Sequence, residues 1–292
     1  DGSASYFMND FGSYNATEDI DQSFLPSVFD YNKNAICFVD STITPYEYGN
    51  YDSMTQYRKD VNRAICIYTL ASNGRTLVLF NSMEELNRSY ENTEPFFAEH
   101  DILALKQNGS SIEEIREFNN NEYSILFGVD RFWSGVNFPG STLSQVIITK
   151  IPNPSLNDPL IAHHRRSDIS FMSKKYPIYA RLKLRQGFGR LVRSISDKGG
   201  VILLDSRYES RFSSHLSELP IPVTFSLDQE NIMRKVLDKA GIKSEFHQRR
   251  IDPFLEVEKF DLRAKNDHII LSKGRIVLLD EHRKRKKIKV AI

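Results

Sequence analysis

The sequence has few of the features that mark secreted or membrane proteins. Its 292 residues include two cysteines, Cys37 and Cys66, and both lie within apolar segments. They predict buried thiols in a reducing compartment, and they are too few for a disulfide framework or a four-cysteine iron–sulfur site. No run approaches the ~18 apolar residues of a membrane span, and residues 1–3 do not resemble the start of a signal peptide. We therefore expect a cytoplasmic protein with no membrane partner.

A phosphate-binding loop is also missing. The pattern Gly-x-x-x-x-Gly-Lys-Ser/Thr, whose backbone amides surround the α- and β-phosphates of a nucleotide, occurs nowhere in the chain. We therefore expect that this chain by itself does not hydrolyse ATP.

Charge is balanced overall but uneven along the chain. The formal net charge is +1, yet residues 1–60 hold ten acidic side chains and three basic ones. Residues 165–193 contain nine Lys or Arg and one acid, and residues 283–287 are all basic. Such clusters favour a polyanionic partner, although a solvated charge run explains the tail equally well.

Short apolar segments alternate with amphipathic ones through most of the chain. The apolar segments are typical of buried strands in a parallel sheet, and the intervening ones predict helices. The predicted strands are 35–39, 76–80, 102–105, 123–127, 145–151 and 200–205. Capping boxes at Ser82 with Glu85 and at Ser111 with Glu114 predict two helix starts. This order indicates an α/β fold, with helices on both faces of the sheet and ligands at the carboxyl ends of the strands.

We expect three regions along the chain. Residues 1–34 are an irregular acidic lead-in, and residues 35–220 form the α/β domain. Residues 221–292 comprise a helix over Ser226–Ala240, a hairpin over 268–279 and the basic tail. Beyond residue 252 the alternating pattern predicts strands.

The stretch around residue 188 has the most specific pattern. As a helix it places apolar residues on one face at spacings of three and four, namely Ala180, Leu184, Phe188, Leu191 and Ile195. Gln186, Arg190 and Arg193 then lie on the opposite face. Two glycines in the same turn, each costing up to ~1 kcal/mol in a helix interior, suggest that something approaches the backbone closely there. A basic amphipathic helix with a solvated face is the alternative.

The amino-acid sequence of this stretch resembles a known motif. Gln186-Gly-Phe-Gly-Arg-Leu-Val-Arg-Ser194, followed by Gly200-Val-Ile-Leu-Leu-Asp205, resembles motif VI of the DinG/XPD-like helicases of superfamily 2. The resemblance implies that Arg190 and Arg193, with Gln186, contact the γ-phosphate of ATP. A planar guanidinium suits phosphate oxygens whose charge shifts as the bond breaks.

A second segment resembles motif V of the same family. Phe132-Trp133-Ser134-Gly135-Val136-Asn137 stands where relatives have Phe-Trp-Glu-Gly-Val-Asp, so both acidic groups are replaced. The resemblance places Gly135 and Asn137, together with Gly187 and Gly189, at the nucleotide, and Ser134 and Trp133 at the nucleic acid. Trp133 is either a base-stacking residue or half of a core aromatic pair with Phe132.

Two weaker matches complete the resemblance. Thr42, in Asp40-Ser-Thr42, occupies the place of motif III, and Ser82, in Phe80-Asn-Ser82, that of motif IV. In relatives these strand-end residues touch nucleic acid. The alternative role for Ser82 is that of a helix cap.

The resemblance implies the second RecA-like domain of an ATP-dependent DNA helicase that translocates 5′ to 3′ on single-stranded DNA. A first RecA-like domain, absent here, would provide most of the contacts to ATP and Mg²⁺. The alternative is a non-catalytic helicase-like module that binds nucleic acid or a partner and has lost its coupling to ATP. The altered motifs III and V favour the module, and motif VI favours the helicase.

Overall fold

The structure is a computed structural model that describes residues 29–109, 111–136, 138, 142–210, 212–216, 219–242 and 251–267. Within these residues one sheet of seven strands has the order β3-β4-β2-β5-β6-β1-β7, and every pairing is parallel. The strands are β1 (Ala35–Asp40), β2 (Thr76–Leu79), β3 (Leu103–Lys106), β4 (Ser124–Gly128), β5 (Gln145–Ile148), β6 (Gly199–Leu203) and β7 (Val223–Ser226). The six predicted strands are thus confirmed, with ends within three residues of those expected.

Helices cover both faces of this sheet, as the fold class predicted. They are α1 (Tyr51–Ala71), α2 (Met83–Glu99), α3 (Ile112–Asn120), α4 (Pro159–Ser167), α5 (Tyr176–Phe188), α6 (Gln229–Ala240) and α7 (Pro253–Asp267). Shorter helical turns span Tyr31–Asn34, Asp130–Phe132, Phe171–Lys175, Ser206–Tyr208 and Ser213–His215. Among the helices that the structure describes, none combines the length and apolar character needed to cross a bilayer.

Alternation along the strands divides the core into two clusters. In β2, Val78 joins the cluster under α1, α2, α6 and α7, while Leu77 and Leu79 join the cluster under α3 and α5. Successive side chains of a strand point to opposite faces, so a continuous apolar run is buried only when both faces are covered. The apolar strands therefore account for the two helical layers.

The two predicted capping boxes have different outcomes. Ser82 precedes α2, and its hydroxyl accepts a hydrogen bond from the backbone N–H of Glu85 at 3.3 Å. The Glu85 carboxylate binds Arg58 at 2.7 Å. Ser111 does not cap α3, because it adopts a left-handed conformation with φ 56° and its hydroxyl donates to the Asn108 carbonyl at 3.3 Å. The second capping prediction is wrong.

The carboxyl-terminal part differs most from expectation. Strand β7 pairs with β1, and α6 and α7 bury Val236 and Val257 in the main core, so the sheet and its cover continue past residue 220. Residues 253–267 are helical where strands were predicted. Ser226 ends a strand and the helix starts only at Gln229, although its predicted cap, Gly241, is confirmed with φ 71°. The predicted hairpin and the basic tail lie outside the described residues.

Candidate functional site

Helix α5 ends at Phe188, which is earlier than the periodicity predicted. The amides of Arg190 and Leu191 bond to carbonyls three residues back, at 3.1 Å each, so the last turn tightens. The amides of Arg193 and Ser194 then bond to the Asp197 carboxylate at 2.9 and 2.7 Å. An acceptor that captures two backbone amides ends a helix, because those amides no longer bond along the helix. The prediction of a helix reaching Ile195 is wrong, and that side chain is 82% exposed.

The predicted apolar face holds as far as Leu191. Ala180, Leu184, Phe188 and Leu191 are all buried in the cluster beneath α5. The motif is therefore anchored to the sheet by the residues that the spacing indicated. Of its polar residues, Gln186 is still within α5, whereas Arg190 and Arg193 lie in the turn that follows.

The close approach to Gly187 comes from within the protein. A methyl group at this position would lie 3.1 Å from Cζ3 of Trp133 and 3.2 Å from Cδ1 of Ile148. Gly187 is buried and faces the core, so packing against Trp133 and Ile148 accounts for a glycine there, and its assignment to the nucleotide stays a prediction. At Gly189 the nearest atoms are carbonyl oxygens of its own turn, at 3.4 and 3.5 Å, so among the residues that the structure describes no other group requires a glycine there.

Arg190 is buried, with 9% of its surface exposed. Its Nε donates to the Gln186 carbonyl at 3.4 Å, and its Nη1 donates to the carbonyl of Val136 in the motif V segment. Burial, together with the neighbouring Arg193, lowers the pKa of Arg190 to about 10. The guanidinium is still charged at neutral pH. The expectation that this side chain lies on a solvated face is wrong.

Arg193 and Gln186 complete the same group. The Arg193 Nε donates to the Gly189 carbonyl at 3.1 Å, and burial lowers the pKa of Arg193 while Asp197 opposes that shift. The Gln186 side chain is exposed. The structure therefore brings the three predicted catalytic residues together at the end of α5, with Gln186 outermost and Arg190 innermost.

The motif V segment lies directly beside them. Trp133 is 1% exposed, and its indole Nε1 donates to the Phe80 carbonyl at 3.0 Å. It is a core residue, which corrects its assignment to nucleic acid. Ser134 and Gly135 are exposed, and Gly135 has φ 93°. Asn137 lies outside the described residues.

The remaining predicted residues lie at strand ends. Thr42 is exposed, and its amide and hydroxyl both donate to the Asp40 carboxylate, at 3.0 and 2.6 Å. Asp40 is fully buried at the end of β1 and also accepts from Tyr68 at 2.8 Å and from Gln229 at 2.7 Å. Ser82 is exposed at the rim of a cleft that the predicted residues did not identify.

This cleft has a volume of about 750 Å³ and lies where β2, β5 and β6 end. Four cations line it, Arg58 from α1, Arg88 from α2, Lys150 after β5 and Arg207 after β6. Arg58 binds Glu85, and Arg207 binds Asp205 at 2.6 Å. The pattern that could have revealed them is a basic residue following each of two buried strands, since parallel strands end at one edge of the sheet.

Lys150 has a different neighbour from the arginines. Its ammonium lies 3.2 Å from the centroid of the Tyr46 ring, a cation–π contact, and Arg207 lies 5.5 Å from the same centroid. Burial lowers the pKa of Lys150 to about 8, and Arg207 contributes in the same direction. In the described part of the chain, no group of three His, Cys, Asp or Glu side chains is placed to hold a metal ion.

Comparisons with known proteins agree with this arrangement. A chain named 3′-5′ exonuclease DinG from Bacillus subtilis (strain 168) is 31% identical over 178 residues, which is 58% of this chain and 19% of that protein. Its counterpart from Staphylococcus aureus (strain MSSA476) is 31% identical over 180 residues, 60% of this chain and again 19% of the relative. The chain thus spans about a fifth of the length of these relatives.

A solved structure titled XPD helicase has the same fold. It aligns with a TM-score of 0.50 at 22% identity, over 66% of this chain and 35% of that one. The profile of the helicase C-terminal domain family matches residues 65–219. This range includes the ends of β2, β5 and β6, the motif V segment and the arginines after α5. The chain belongs to the helicase C-terminal domain family and is a DinG/XPD-like superfamily 2 domain with a RecA-like fold.

Proposed function

We propose that this chain is the C-terminal motor domain of an ATP-dependent DNA helicase that moves along single-stranded DNA, 5′ to 3′ as the family resemblance implies. Arg190 and Arg193, with Gln186, act on ATP bound mainly by a first RecA-like domain that lies outside this chain. The observation that supports this best is the pair of adjacent guanidiniums at the end of α5, joined through Arg190 to the motif V backbone.

The residues after α5 fit a phosphate group. Gln186 is exposed and Arg193 half-buried, so both are accessible from solvent. Arg190 bonds to neutral carbonyl oxygens, and a guanidinium gains a stronger, charge-assisted hydrogen bond when a phosphate oxygen replaces a carbonyl. ATP with Mg²⁺ supplies the phosphoryl group, and the arginines stabilise the charge that develops on it. Buried anchoring by Phe188 and Leu191 keeps this end of the helix in place.

Release of Arg190 would also change the contacts of the motif V segment. Its guanidinium donates to Val136, which lies two residues after the exposed Ser134. If a phosphate draws the Arg190 guanidinium away, the Val136 carbonyl therefore loses its hydrogen bond. Val136 belongs to the motif V segment, for which the family resemblance implies contact with DNA. This link supports coupling between ATP and DNA without the acidic groups that relatives have at residues 134 and 137.

A non-catalytic module is the second candidate. Ser134 is exposed where relatives have a glutamate, and a hydroxyl there cannot replace the charge of a carboxylate. The exonuclease activity in the relatives' name is not part of the proposal, because the match covers 19% of those proteins and falls on the helicase C-terminal domain.

The test is DNA-stimulated ATPase activity of the intact polypeptide that contains this chain. Arg193→Ala should lower the rate by ~10³–10⁵, the range for arginines that stabilise phosphoryl transfer. Arg185→Ala is the matched control, because Arg185 is exposed on α5 and lies one residue before Gln186. An Arg193→Ala rate equal to that of the control would favour the non-catalytic module.

A further inference from the structure

Two adjoining depressions lie at the amino ends of β1 and β7. One, of about 660 Å³, is lined by the first residues of β1 and by the carboxyl-terminal turns of α6. The other, of about 520 Å³, is lined by residues 219–223 and by Phe225 of β7. Asn32, Ile221 and Pro222 line both depressions, so we treat the two as one surface, the β7 groove. Because the strands are parallel, the β7 groove lies at the opposite end of the sheet from the strand-end cleft and the proposed ATP contacts.

The first half of the β7 groove is strongly basic. A single acid, Asp238, lines it, together with four lysines, Lys33, Lys198, Lys235 and Lys239. The Lys239 ammonium donates to the Lys33 carbonyl at 3.1 Å, and no ion pair among the described residues includes any of the four lysines. Like charges gathered in one depression repel each other, so an acidic ligand would be attracted to this half of the groove.

The second half of the β7 groove is apolar. Its lining side chains, apart from those of Asn32 and Ser213, contain only carbon, and they include Leu216 and Leu219. Phe225 is 39% exposed on β7, which stands at the end of the described sheet and pairs there with β1 alone. Apolar side chains of a ligand would be removed from water here, whereas a phosphodiester backbone would not gain from such a surface. The combination favours an acidic polypeptide with aromatic side chains over a nucleic acid.

The amino-terminal segment of this chain has that composition. Residues 1–28 contain five acidic side chains and no Lys, Arg or His. Five aromatic side chains are interspersed with the acids, at Tyr6, Phe7, Phe11, Tyr14 and Phe24. The segment therefore carries carboxylates that suit the lysines and rings that suit the apolar half of the groove.

The same segment joins the described part of the chain beside the β7 groove. Phe29 packs edge-to-face on Tyr31, with 6.2 Å between the ring centroids, and both rings pack against the core beneath α5. The next two residues, Asn32 and Lys33, line the groove. A segment that is tethered so close to a site has an effective concentration in the millimolar range, so contacts that would be weak between separate molecules are sufficient for docking.

We propose that residues 1–28 dock in the β7 groove of the same chain. Their carboxylates pair with the groove lysines, and their aromatic side chains cover the apolar half. Glu18 and Asp21 precede Phe29 by eleven and eight residues, which span at most about 36 and 26 Å when extended, so their carboxylates can reach the lysines. The docked segment also covers β7 and so prevents the edge of the sheet from pairing with another chain. This inference does not depend on the proposed motor function.

The first experiment treats the purified chain with a water-soluble carbodiimide, which joins a carboxylate to a neighbouring amine. Trypsin then releases residues 1–33 as one peptide, because Lys33 is the first basic residue of the sequence. Mass spectrometry should find this peptide joined to Lys198, Lys235 or Lys239. It should not find it joined to Lys59, which is exposed on α1 and does not line the groove. A mixture of ¹⁴N- and ¹⁵N-labelled chains should give these cross-links within one copy only.

Amide hydrogen exchange tests the charge argument. With an effective concentration of about 1 mM and an intrinsic Kd of about 0.1 mM, docking slows exchange in residues 1–28 about tenfold. Lys198→Glu combined with Lys235→Glu should accelerate this exchange about fivefold, because the new carboxylates repel the segment. Lys59→Glu combined with Arg234→Glu is the matched control. It changes the net charge equally, and Arg234 is exposed on α6 without lining the groove.

Four outcomes would overturn the proposal. Cross-links to Lys59 as frequent as those to the groove lysines would mean that the segment has no preferred site. Cross-links between labelled and unlabelled copies would make a second copy the occupant. Equal exchange rates in the two double variants would remove the charge argument. If oligothymidylate binding were lost in the groove variant alone while exchange stayed unchanged, the groove would bind nucleic acid instead.

The experiments remain decisive if a variant folds poorly. Melting curves of both double variants detect a loss of folding, and the cross-linking experiment uses the unaltered chain. None of these measurements involves ATP. Docking can therefore fail while Arg193→Ala still abolishes ATPase activity, or succeed in a chain whose motor function is disproved.

Discussion

The end of α5 holds a buried cation and the strand-end cleft holds half-buried ones, and their partners differ. Arg190 bonds to backbone carbonyls, whereas Arg58 and Arg207 bond to carboxylates. A cation held by neutral acceptors still has a stronger interaction to gain from an anionic ligand, and a cation with a carboxylate has little more to gain. The type of hydrogen-bond partner, carbonyl or carboxylate, therefore distinguishes the cations that we expect to bind a ligand from those that form the walls of a site.

The largest expected change in stability concerns Arg190 itself. Because this guanidinium is buried and hydrogen-bonded to Val136 and Gln186, Arg190→Ala should lower the free energy of unfolding by ~1.5–3 kcal/mol, the range for hydrogen bonds to charged groups. Arg185→Ala, at an exposed position, should stay within ~0.5 kcal/mol. Urea unfolding of the two variants is the measurement. Equal stabilities would mean that Arg190 is in fact solvated.

A smaller effect should separate the two glycines. Gly187→Ala places a methyl group 3.1 Å from the Trp133 ring, so we expect a loss of ~1–2 kcal/mol from overpacking. Gly189→Ala meets only its own turn at 3.4 Å and should be nearly neutral. Thermal melting of both variants tests this difference. If neither variant changes stability but both lower ATPase activity in the intact protein, the glycines serve the nucleotide after all.

A third expected effect is a pH dependence in the cleft. The pKa of Lys150 is lowered to about 8 by burial, by Arg207 and by Arg58, while Glu85 and Asp205 act in the opposite direction. The lysine of the unfolded chain keeps its proton up to pH ~10.4. Between pH ~8 and ~10 the unfolded state therefore binds more protons at this residue than the folded state. The free energy of unfolding accordingly rises with pH in this range.

Lys150→Met removes that titration. Its stability relative to the unaltered chain should be most favourable near pH ~7 and should decline as the pH approaches ~10, because the cost of the buried ammonium disappears from the unaltered chain. Urea unfolding over this range is the measurement, and Lys59→Met, at an exposed position, should show a constant difference. A constant difference for Lys150→Met as well would indicate a solvated ammonium.

Local sequence patterns predicted the secondary structure correctly where the structure of a residue depends on its neighbours along the chain. The positions of β1 to β6, the cap at Ser82 and the buried face through Leu191 were all predicted correctly. The errors occur where a distant or competing partner acts. Asp197 captures the amides that would have continued α5, and Ser111 turns its hydroxyl to Asn108 instead of capping α3.

Trp133 illustrates the same limit at the site. From its position in motif V, Trp133 could be either a core residue or a base-stacking residue. Its contacts with Gly187 and Phe80 show that it is a core residue. No local pattern predicts that contact, because the two partners lie on α5 and at the end of β2. The cleft was missed for a related reason, since its walls come from α1 and from the ends of three strands.

The sequence by itself determined the order of strands and helices as far as β6, the parallel α/β class and the place of the arginines after the apolar face, because each depends on residues a few positions apart. Only the tertiary structure decided which cations are free to take a ligand. Arg58 finds its carboxylate 27 residues away, and Arg190 finds its carbonyl 54 residues away. Such pairings arise when the sheet brings distant segments together, and they set the burial and the charge that determine what each side chain can bind.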